Sequence, residues 1–322
     1  MAALFEAPLA DLVSLRYLTG SDLSQALDEE TITWELQLDW DFRPSAELVG
    51  RFVDMQSLSG YAMVVGSRVV GYAYFVSEGF KGLIGDLYVM EDYRTYENEN
   101  RLLGAVLREL METPMIRRIE SQLMMLRPGI DRPLPYSRYV RVYPRQFMVH
   151  PMEDLDEWGI SATANEAFFD TWREGRNEEA AQMIAGAYSH HIDSQINDQY
   201  RSAAGARKFL VNIVQYPGCG SFFQPGSFMA YLPPEYRPGG MILSSLVAGD
   251  VGHVTQVCVS PEARGLGLGS ELMRRCLAAF QEHGCRSTSL TVTSANQSAI
   301  RLYEHLGFET QRRFGAHVWT DF

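Results

Sequence analysis

The sequence predicts a mixed α/β sheet (α+β in character), repeated in two tandem domains. Three observations carry that prediction. Short apolar runs with strand character alternate with amphipathic helical stretches along the chain. A glycine-rich turn, Arg264-Gly265-Leu266-Gly267-Leu268-Gly269-Ser270, stands between one strand and the helix after it. The order of elements in the first half returns, more clearly, in the second. Strands separated by helices imply crossover connections within a sheet. A length of 322 residues is long for one domain and natural for two.

From the N-terminus, LVSLRYL reads as a strand, followed by helices near residues 21–31 and 45–57. YAMVV, the turn GS and RVVGYAYFV form a hairpin, LIGDLYVM a strand, RLLGAVLRELME a helix and RIESQLMML another strand. The segment 127–146, dense in proline and arginine, marks the boundary. The domains are therefore expected at 1–140 and 145–322, the first a blurred copy of the second. In the second, EEAAQMIAGAY and SAAGARKFLVNIVQ have helical spacing, and strands follow at Ser227–Leu232, Met241–Val247 and Gly252–Val259. After the glycine turn, Leu272, Met273, Cys276, Leu277 and Phe280 share one helical stripe that stops at Gly284. TSLTVT is a strand, IRLYEHLGF a helix closed by Gly307, and FGAHVWTDF a last strand.

Composition excludes several classes of function. The net charge of −12 is split evenly: 21 acids and 15 bases in residues 1–150, 19 and 13 in the rest, −6 each. Neither half clusters basic residues as a nucleic-acid partner requires. No run approaches the roughly 18 apolar residues of a membrane span. The N-terminus lacks the basic start of a targeting peptide. Cys219, Cys258, Cys276 and Cys285 form no CxxC pair and read as reduced thiols, so a cytoplasmic location is expected. His190 and His191, near Asp193 and Asp198, match no common zinc spacing, and no metal is assigned.

The glycine turn carries the chemistry. A pyrophosphate needs several backbone N–H donors converging on it, and side chains crowd that approach. The N-terminus of the following helix adds unpaired N–H groups and partial positive charge. A dinucleotide fingerprint would need glycine at Ser270, and a Walker loop would need a lysine the turn lacks.

Two motifs in order then identify a resemblance. Arg264, Gly267 and Gly269 meet the pattern Arg/Gln-x-x-Gly-x-Gly/Ala after a strand and a Ser-Pro-Glu link. Asn296, Ala299, Tyr303, Gly307 and Phe308 meet Asn-x-x-Ala-x-x-x-Tyr-x-x-x-Gly-Phe. Both patterns are those of the GNAT superfamily of coenzyme A-dependent N-acetyltransferases, which the chain resembles firmly over 220–322 and at the level of fold over 1–145. The tandem arrangement is similar to that of mycothiol synthases, in which one of two such domains is catalytic.

The resemblance implies acetyl-CoA as donor, held by Val257, Cys258 and Val259 along the pantetheine and by Arg264, Gly265, Leu266, Gly267, Leu268, Gly269 and Ser270 at the pyrophosphate. Asn296 would meet the pantetheine arm; otherwise it is a helix N-cap. Tyr303 would protonate the departing thiolate; otherwise it is an aromatic packed on the sheet. Histone-type members place a glutamate base on the strand before the turn. Here His253 stands at that position, eleven residues ahead of Arg264, and an imidazole has a suitable unperturbed pKa of about 6.5. Water relayed by backbone groups is the rival, with the oxyanion held by backbone N–H in the strand's bulge.

The implied reaction is transfer of acetyl to a primary amine, on a small molecule or a peptide, by direct attack in a ternary complex. The alternative is a non-catalytic acyl-CoA-binding or sensing protein. The loop EDYRTYENEN of the first domain has no glycine, and Glu91, Asp92, Glu97 and Glu99 would repel a pyrophosphate. That copy is expected to bind no donor.

Overall fold

The computed structural model describes residues 10–127, 132–152, 164, 166–216 and 218–322. The first nine residues and part of the expected boundary segment, 128–131, lie outside the described residues. The chain forms two compact units. The first comprises Met1–Leu38, Phe42–Tyr143 and Phe314–Phe322; the second comprises Asp39–Asp41 and Pro144–Arg313. The last nine residues thus belong to the first unit, where Ala316–Thr320 hydrogen-bond to Arg118–Gln122.

In the first unit the sheet runs β1 (Asp11–Ser14), β2 (Ser59–Val65), β3 (Arg68–Glu78), β4 (Lys81–Val89), β5 (Arg118–Gln122) and β13 (Glu309–Thr320). All these neighbours are antiparallel except β4 and β5, which are parallel and joined by α3 (Tyr96–Glu112). Helices α1 (Gly20–Leu38) and α2 (Arg43–Asp54) precede β2. LVSLRYL is a strand only to Ser14, whose hydroxyl accepts from the Arg16 N–H and starts a 3-10 turn. The strand in RIESQLMML stops at Gln122.

The second unit repeats this plan. Its sheet runs β6 (Val140–Pro151), β12 (Ser287–Thr293), β11 (Val251–Val259), β10 (Arg237–Ala248), β9 (Phe228–Leu232) and β7 (Phe168–Thr171), with β8 (Ser221–Phe222) also on β10. Only β11 and β12 are parallel, joined by helix α6 (Leu268–His283). Helices α4 (Asn177–Tyr188) and α5 (Ala203–Gln215) cover one face, packing Ile184 and Leu210 against Met229, Met241 and Cys258. On the other face α6 and α7 (Gln297–His305) pack Leu272, Phe280 and Tyr303 against Val254, Leu290 and Val292. Period-2 alternation explains how β11 serves both layers, Cys258 pointing to one and Val257 and Val259 to the other.

The repeat is accurate to single residues. In the first unit β4 pairs with β5 from Lys81 to Ile84, and a bulge then leaves Gly85 without a partner on β3. In the second, β11 pairs with β12 from Val251 to Val254, and the bulge falls at Thr255. Past each bulge the parallel strands share no further pairing, so they splay apart at the same point of both units. A bulge bends its strand and strengthens the local twist, and here it opens the sheet.

Candidate active site

In the second unit that splay forms one wall of a cavity of about 600 Å³. The wall is the edge Val257–Val259 of β11. Facing it are the turn before α6, the first turn of α6, one side of α7, and the C-terminal end of α4.

Local sequence shapes the turn. Gly265 and Gly267 have φ of +79° and +81°, a region that L side chains rarely enter. Gly267 is also the N-cap of α6 and offers no side chain to it. The first N–H groups of α6 therefore have neither an intrahelical acceptor nor a cap, and they keep their partial positive charge. Arg264 does not point its charge at these donors. Its guanidinium donates to the Ala187 carbonyl at 2.9 Å and ties the turn to the end of α4.

Eleven of the thirteen predicted site residues line this cavity: Val257, Cys258, Val259, Arg264, Gly265, Gly267, Leu268, Gly269, Ser270, Asn296 and Tyr303. Leu266 does not. Its side chain packs against the core and its N–H is spent on the Ala263 carbonyl at 3.4 Å. His253 is also absent from the lining. It lies before the bulge, where β11 is still paired with β12, and is only 4 % exposed. Its Nδ1 is 2.8 Å from the Ser289 hydroxyl and its ring packs on Trp40 at 5.1 Å. Burial, aided by the Arg145 charge, lowers its pKa to about 4. The structure therefore does not offer His253 to a substrate in the cavity. The bulge divides this position, eleven residues ahead of Arg264, from the open part of the cleft.

Asn296 fills the N-cap role: its Oδ1 accepts from the Ala299 N–H at 3.2 Å. It lines the cavity as well, so the two roles coexist. Tyr303, on α7, is 7 % exposed, and its hydroxyl has no hydrogen-bond partner among the described residues. Burial, reinforced by the Asp193 charge and opposed by Arg145, raises its pKa above that of free tyrosine, so the phenol stays protonated. The thiol of Cys258 is pushed up to about 12 by burial despite Arg264.

Among the residues that the motifs did not mark, Tyr188 and His191 also line the cavity. Tyr188 donates to the Val257 carbonyl at 3.3 Å and accepts from Gln256 Nε2 at 2.7 Å. The other end of that amide, Gln256 Oε1, accepts from Tyr200 at 3.1 Å. This network pins the end of α4 to the strand edge. The available signal was positional: both residues sit where the first helix of the domain ends. None of Phe222, Phe223, Phe228, Tyr231 and Tyr236 lines the cavity; the first four pack in or against the cores and Tyr236 is exposed. Among the described residues no group of three or more His, Cys, Asp or Glu is arranged to hold a metal.

The model of the acetyltransferase (GNAT) family matches residues 136–308, more than half of the chain. The chain belongs to the GNAT acetyltransferase family. It is 29 % identical over 140 residues to a mycothiol acetyltransferase of Arthrobacter sp., covering 42 % of this chain and 40 % of that one. It is 36 % identical over 62 residues to an N-alpha-acetyltransferase of Arabidopsis thaliana, covering 19 % and 33 %. The matched stretches thus span well under half of these relatives. In fold the likeness covers the whole: a GCN5-related N-acetyltransferase from Sphaerobacter thermophilus superposes with a TM-score of 0.67 at 15 % identity, over 97 % of this chain and 95 % of that one. A tandem GNAT protein from the clavulanic acid biosynthesis pathway does so with 0.58 at 14 %, over 97 % and 98 %. The chain therefore carries the GNAT fold over nearly its whole length, as the tandem GNAT protein does. Among the described residues no helix is long and apolar enough to cross a membrane.

Proposed function

We propose that the second unit transfers acetyl from acetyl-CoA to a primary amine by direct attack. The observation that carries this reading is a single cavity joining an uncapped helix N-terminus, an unpaired strand edge and a protonated tyrosine. The donor fits that set. Uncapped N–H groups between Gly267 and Ser270 suit a pyrophosphate, and the edge of β11 past Thr255 suits the amides of pantetheine as an added strand. Val257 would exchange its present Tyr188 hydrogen bond for one to the donor, or offer its N–H.

The proton inventory favours a ternary complex over an acyl-enzyme. A covalent route needs a thiolate, and Cys258 in the cavity holds its proton to about pH 12. Tyr303 has the opposite task. A phenol that stays protonated is a proton source for the leaving sulfur, and its hydroxyl is not engaged elsewhere. The developing oxyanion falls to backbone N–H groups of the strand at its bulge. The acceptor is a primary amine of a small molecule or peptide, within the range that the names of the relatives span.

Calorimetric titration with acetyl-CoA tests the donor site, and release of free coenzyme A in the presence of an amine panel tests transfer. One site per chain is expected, with thiol release that depends on the amine. Absence of acetyl-CoA binding would overturn the reading. Tyr303→Phe is expected to lower kcat by roughly 10²- to 10⁴-fold, the usual range for a lost general acid, with acetyl-CoA affinity within about twofold. Unchanged turnover removes Tyr303 from the mechanism.

A further inference from the structure

A carbonyl oxygen has two lone pairs, and an oxyanion is held best by donors on both. The backbone of β11 approaches the oxygen of a bound thioester from one side only. We propose that the Nε2–H of His191 is the donor on the other side, a side-chain member of the oxyanion hole. The proposal rests on the acetyl-transfer reading above and adds a catalytic residue to it.

Two anchors orient the ring. Asp193 opens a short helical turn, Asp193–Ile196, so its N–H has no acceptor within that turn. It donates instead to Nδ1 of His191 at 3.2 Å. A ring nitrogen that accepts keeps its lone pair, which puts the ring proton on Nε2. The Asp193 carboxylate does not displace that bond. Its Oδ2 stands 3.5 Å from Nδ1, well beyond the roughly 2.7–2.9 Å of a charge-assisted hydrogen bond. Its Oδ1 accepts from the Thr293 hydroxyl on β12. The second anchor is Tyr188, which meets the imidazole edge-on at a centroid distance of 5.1 Å and donates to the Val257 carbonyl at 3.3 Å. The imidazole is thus tied to both strands of the splay, to β11 through Tyr188 and to β12 through Asp193.

His191 lines the cavity with its side chain 27 % exposed, and its Nε2 has no hydrogen-bond partner among the described residues. With the pyrophosphate between Gly267 and Ser270, the thioester falls at the opposite end of the open edge, at Val257, where Tyr188 and His191 stand. There Val257 offers its N–H and keeps Tyr188 on its carbonyl, and Tyr303 serves the sulfur. Nε2–H is left for the oxygen. The acceptor attacks as the free amine, its ammonium proton already given to water. The nitrogen lone pair forms the N–C bond, and the π pair of the carbonyl moves onto oxygen, where Nε2–H and the strand N–H hold it. That pair returns as the C–S bond breaks and the sulfur takes the Tyr303 proton. The proton that the nitrogen sheds restores the phenol, and His191 keeps its own proton throughout.

Two variants separate this role from a structural one. His191→Asn places an amide oxygen near the position of Nδ1, so it can still accept the Asp193 N–H, but it has no donor where Nε2–H was. His191→Gln does the reverse, reaching the Nε2 position with its amide and giving up the Asp193 bond. The reading is the infrared band of bound acetyl-CoA labelled with carbon-13 at the acetyl carbonyl, which needs no acceptor. A lost donor moves that band to higher frequency. The upward shift is expected in His191→Asn and not in His191→Gln. A band that stays put in His191→Asn overturns the proposal, and so does a shift confined to His191→Gln, which is the pattern of a structural histidine. With an accepted amine, His191→Asn is expected to lower kcat by roughly 10²- to 10³-fold, the usual cost of one oxyanion donor, with His191→Gln close to the parent. Calorimetry on the same samples keeps the two claims apart. Acetyl-CoA bound by the parent with an unresponsive band refutes His191 alone, whereas absent binding refutes the donor site itself.

Discussion

The two strand–turn–helix junctions of the chain share a backbone plan and differ in what they do with a helix N-terminus. In both, a bulged strand runs into a 3-10 turn, Glu91–Tyr93 in the first unit and Pro261–Ala263 in the second. In both, an arginine follows at once, Arg94 or Arg264. The junctions then part. In the second unit two left-handed glycines lead into α6 and leave its first N–H groups open. In the first, Thr95 caps α3 by accepting the Asn98 N–H at 3.1 Å, and Glu97 and Glu99 occupy the first turn. The Glu99 carboxylate holds Arg132 at 2.7 Å, Arg94 at 3.4 Å and the Arg127 N–H at 2.9 Å. Its counterpart Glu271 turns back along its own helix to Arg274 and Arg275, away from the glycine turn. An open N-terminus is an anion site, whereas one that carries its own cap and its own carboxylates has satisfied itself.

The sharpest way to break this comparison is to give the second junction the chemistry of the first. A side chain at Gly269 meets only ordinary contacts, Leu302 at 3.5 Å and Val259 at 3.7 Å, and the position is not left-handed. Glutamate there also suits the helix dipole, so Gly269→Glu is expected to fold and melt within about 1 kcal/mol of the parent. Its carboxylate would compete for the N–H groups assigned to the pyrophosphate. Charge-assisted hydrogen bonds are worth about 1.5–3 kcal/mol each, so losing one or two lowers acetyl-CoA affinity by roughly 10- to 10⁴-fold. Calorimetry on a variant with an unchanged melting point checks this, and retained affinity would remove the turn from the donor site.

How much of this was legible in the sequence depends on the kind of information each feature uses. That the glycine turn, Asn296 and Tyr303 belong together could be read from residue type and short spacing, and the structure brings them to one cavity. Helix ends were harder: α1 runs to Leu38, well past the stretch its periodicity marks. His253 misled because the bulge at Thr255 is a property of pairing between β10 and β11, which no local pattern records. The same limit hid His191, which reaches the cavity through the end of α4. It also hid the last strand, whose Ala316–Thr320 pair with β5 of the first unit. The acids of EDYRTYENEN were visible as charges, but not that Glu99 is buried among arginines that neutralise it.

Smaller in effect is the reverse experiment, performed on Glu99. Its side chain is 2 % exposed and that of Arg132 is 3 % exposed. Removing one partner of a buried ion pair leaves the other charge uncompensated, at a cost of about 3–5 kcal/mol. Glu99→Gln is therefore expected to lower the stability of the first unit by roughly that amount, read by denaturant unfolding, and to leave the acetyl-CoA affinity of the second unit within about twofold. A gain of a second acetyl-CoA site in this variant would mean that Glu99 alone closed the first junction. The cap of Thr95 and the missing glycines argue that it does not.

The smallest expected effect concerns the strand just past the first bulge. Counting back three residues from the end of each strand, Asp86 of β4 stands where Gln256 stands in β11. Gln256 is neutral and ties Tyr188 to Tyr200. Asp86 instead lies beside a second buried carboxyl, Glu30, which accepts from Tyr72 at 2.5 Å and from Trp34 at 3.1 Å. Burial, and for Glu30 the charge of Asp86, raises both above the ordinary carboxylate range, Asp86 to about 6. An acid whose pKa is raised by folding binds more protons in the folded state than in the unfolded one. Stability then falls as pH climbs from about 4, where unfolded carboxyls begin to ionise, and levels off above the folded pKa values. Glu30→Gln keeps the shape and can still hydrogen-bond, but it cannot ionise. It is expected to flatten the stability profile between pH 4 and 7 and to add roughly 1 kcal/mol at neutral pH. A variant whose unfolding free energy keeps the parent's slope over that range would show that the carboxyl pair shares no proton, and that the polar core of the first unit is held by its tyrosines alone.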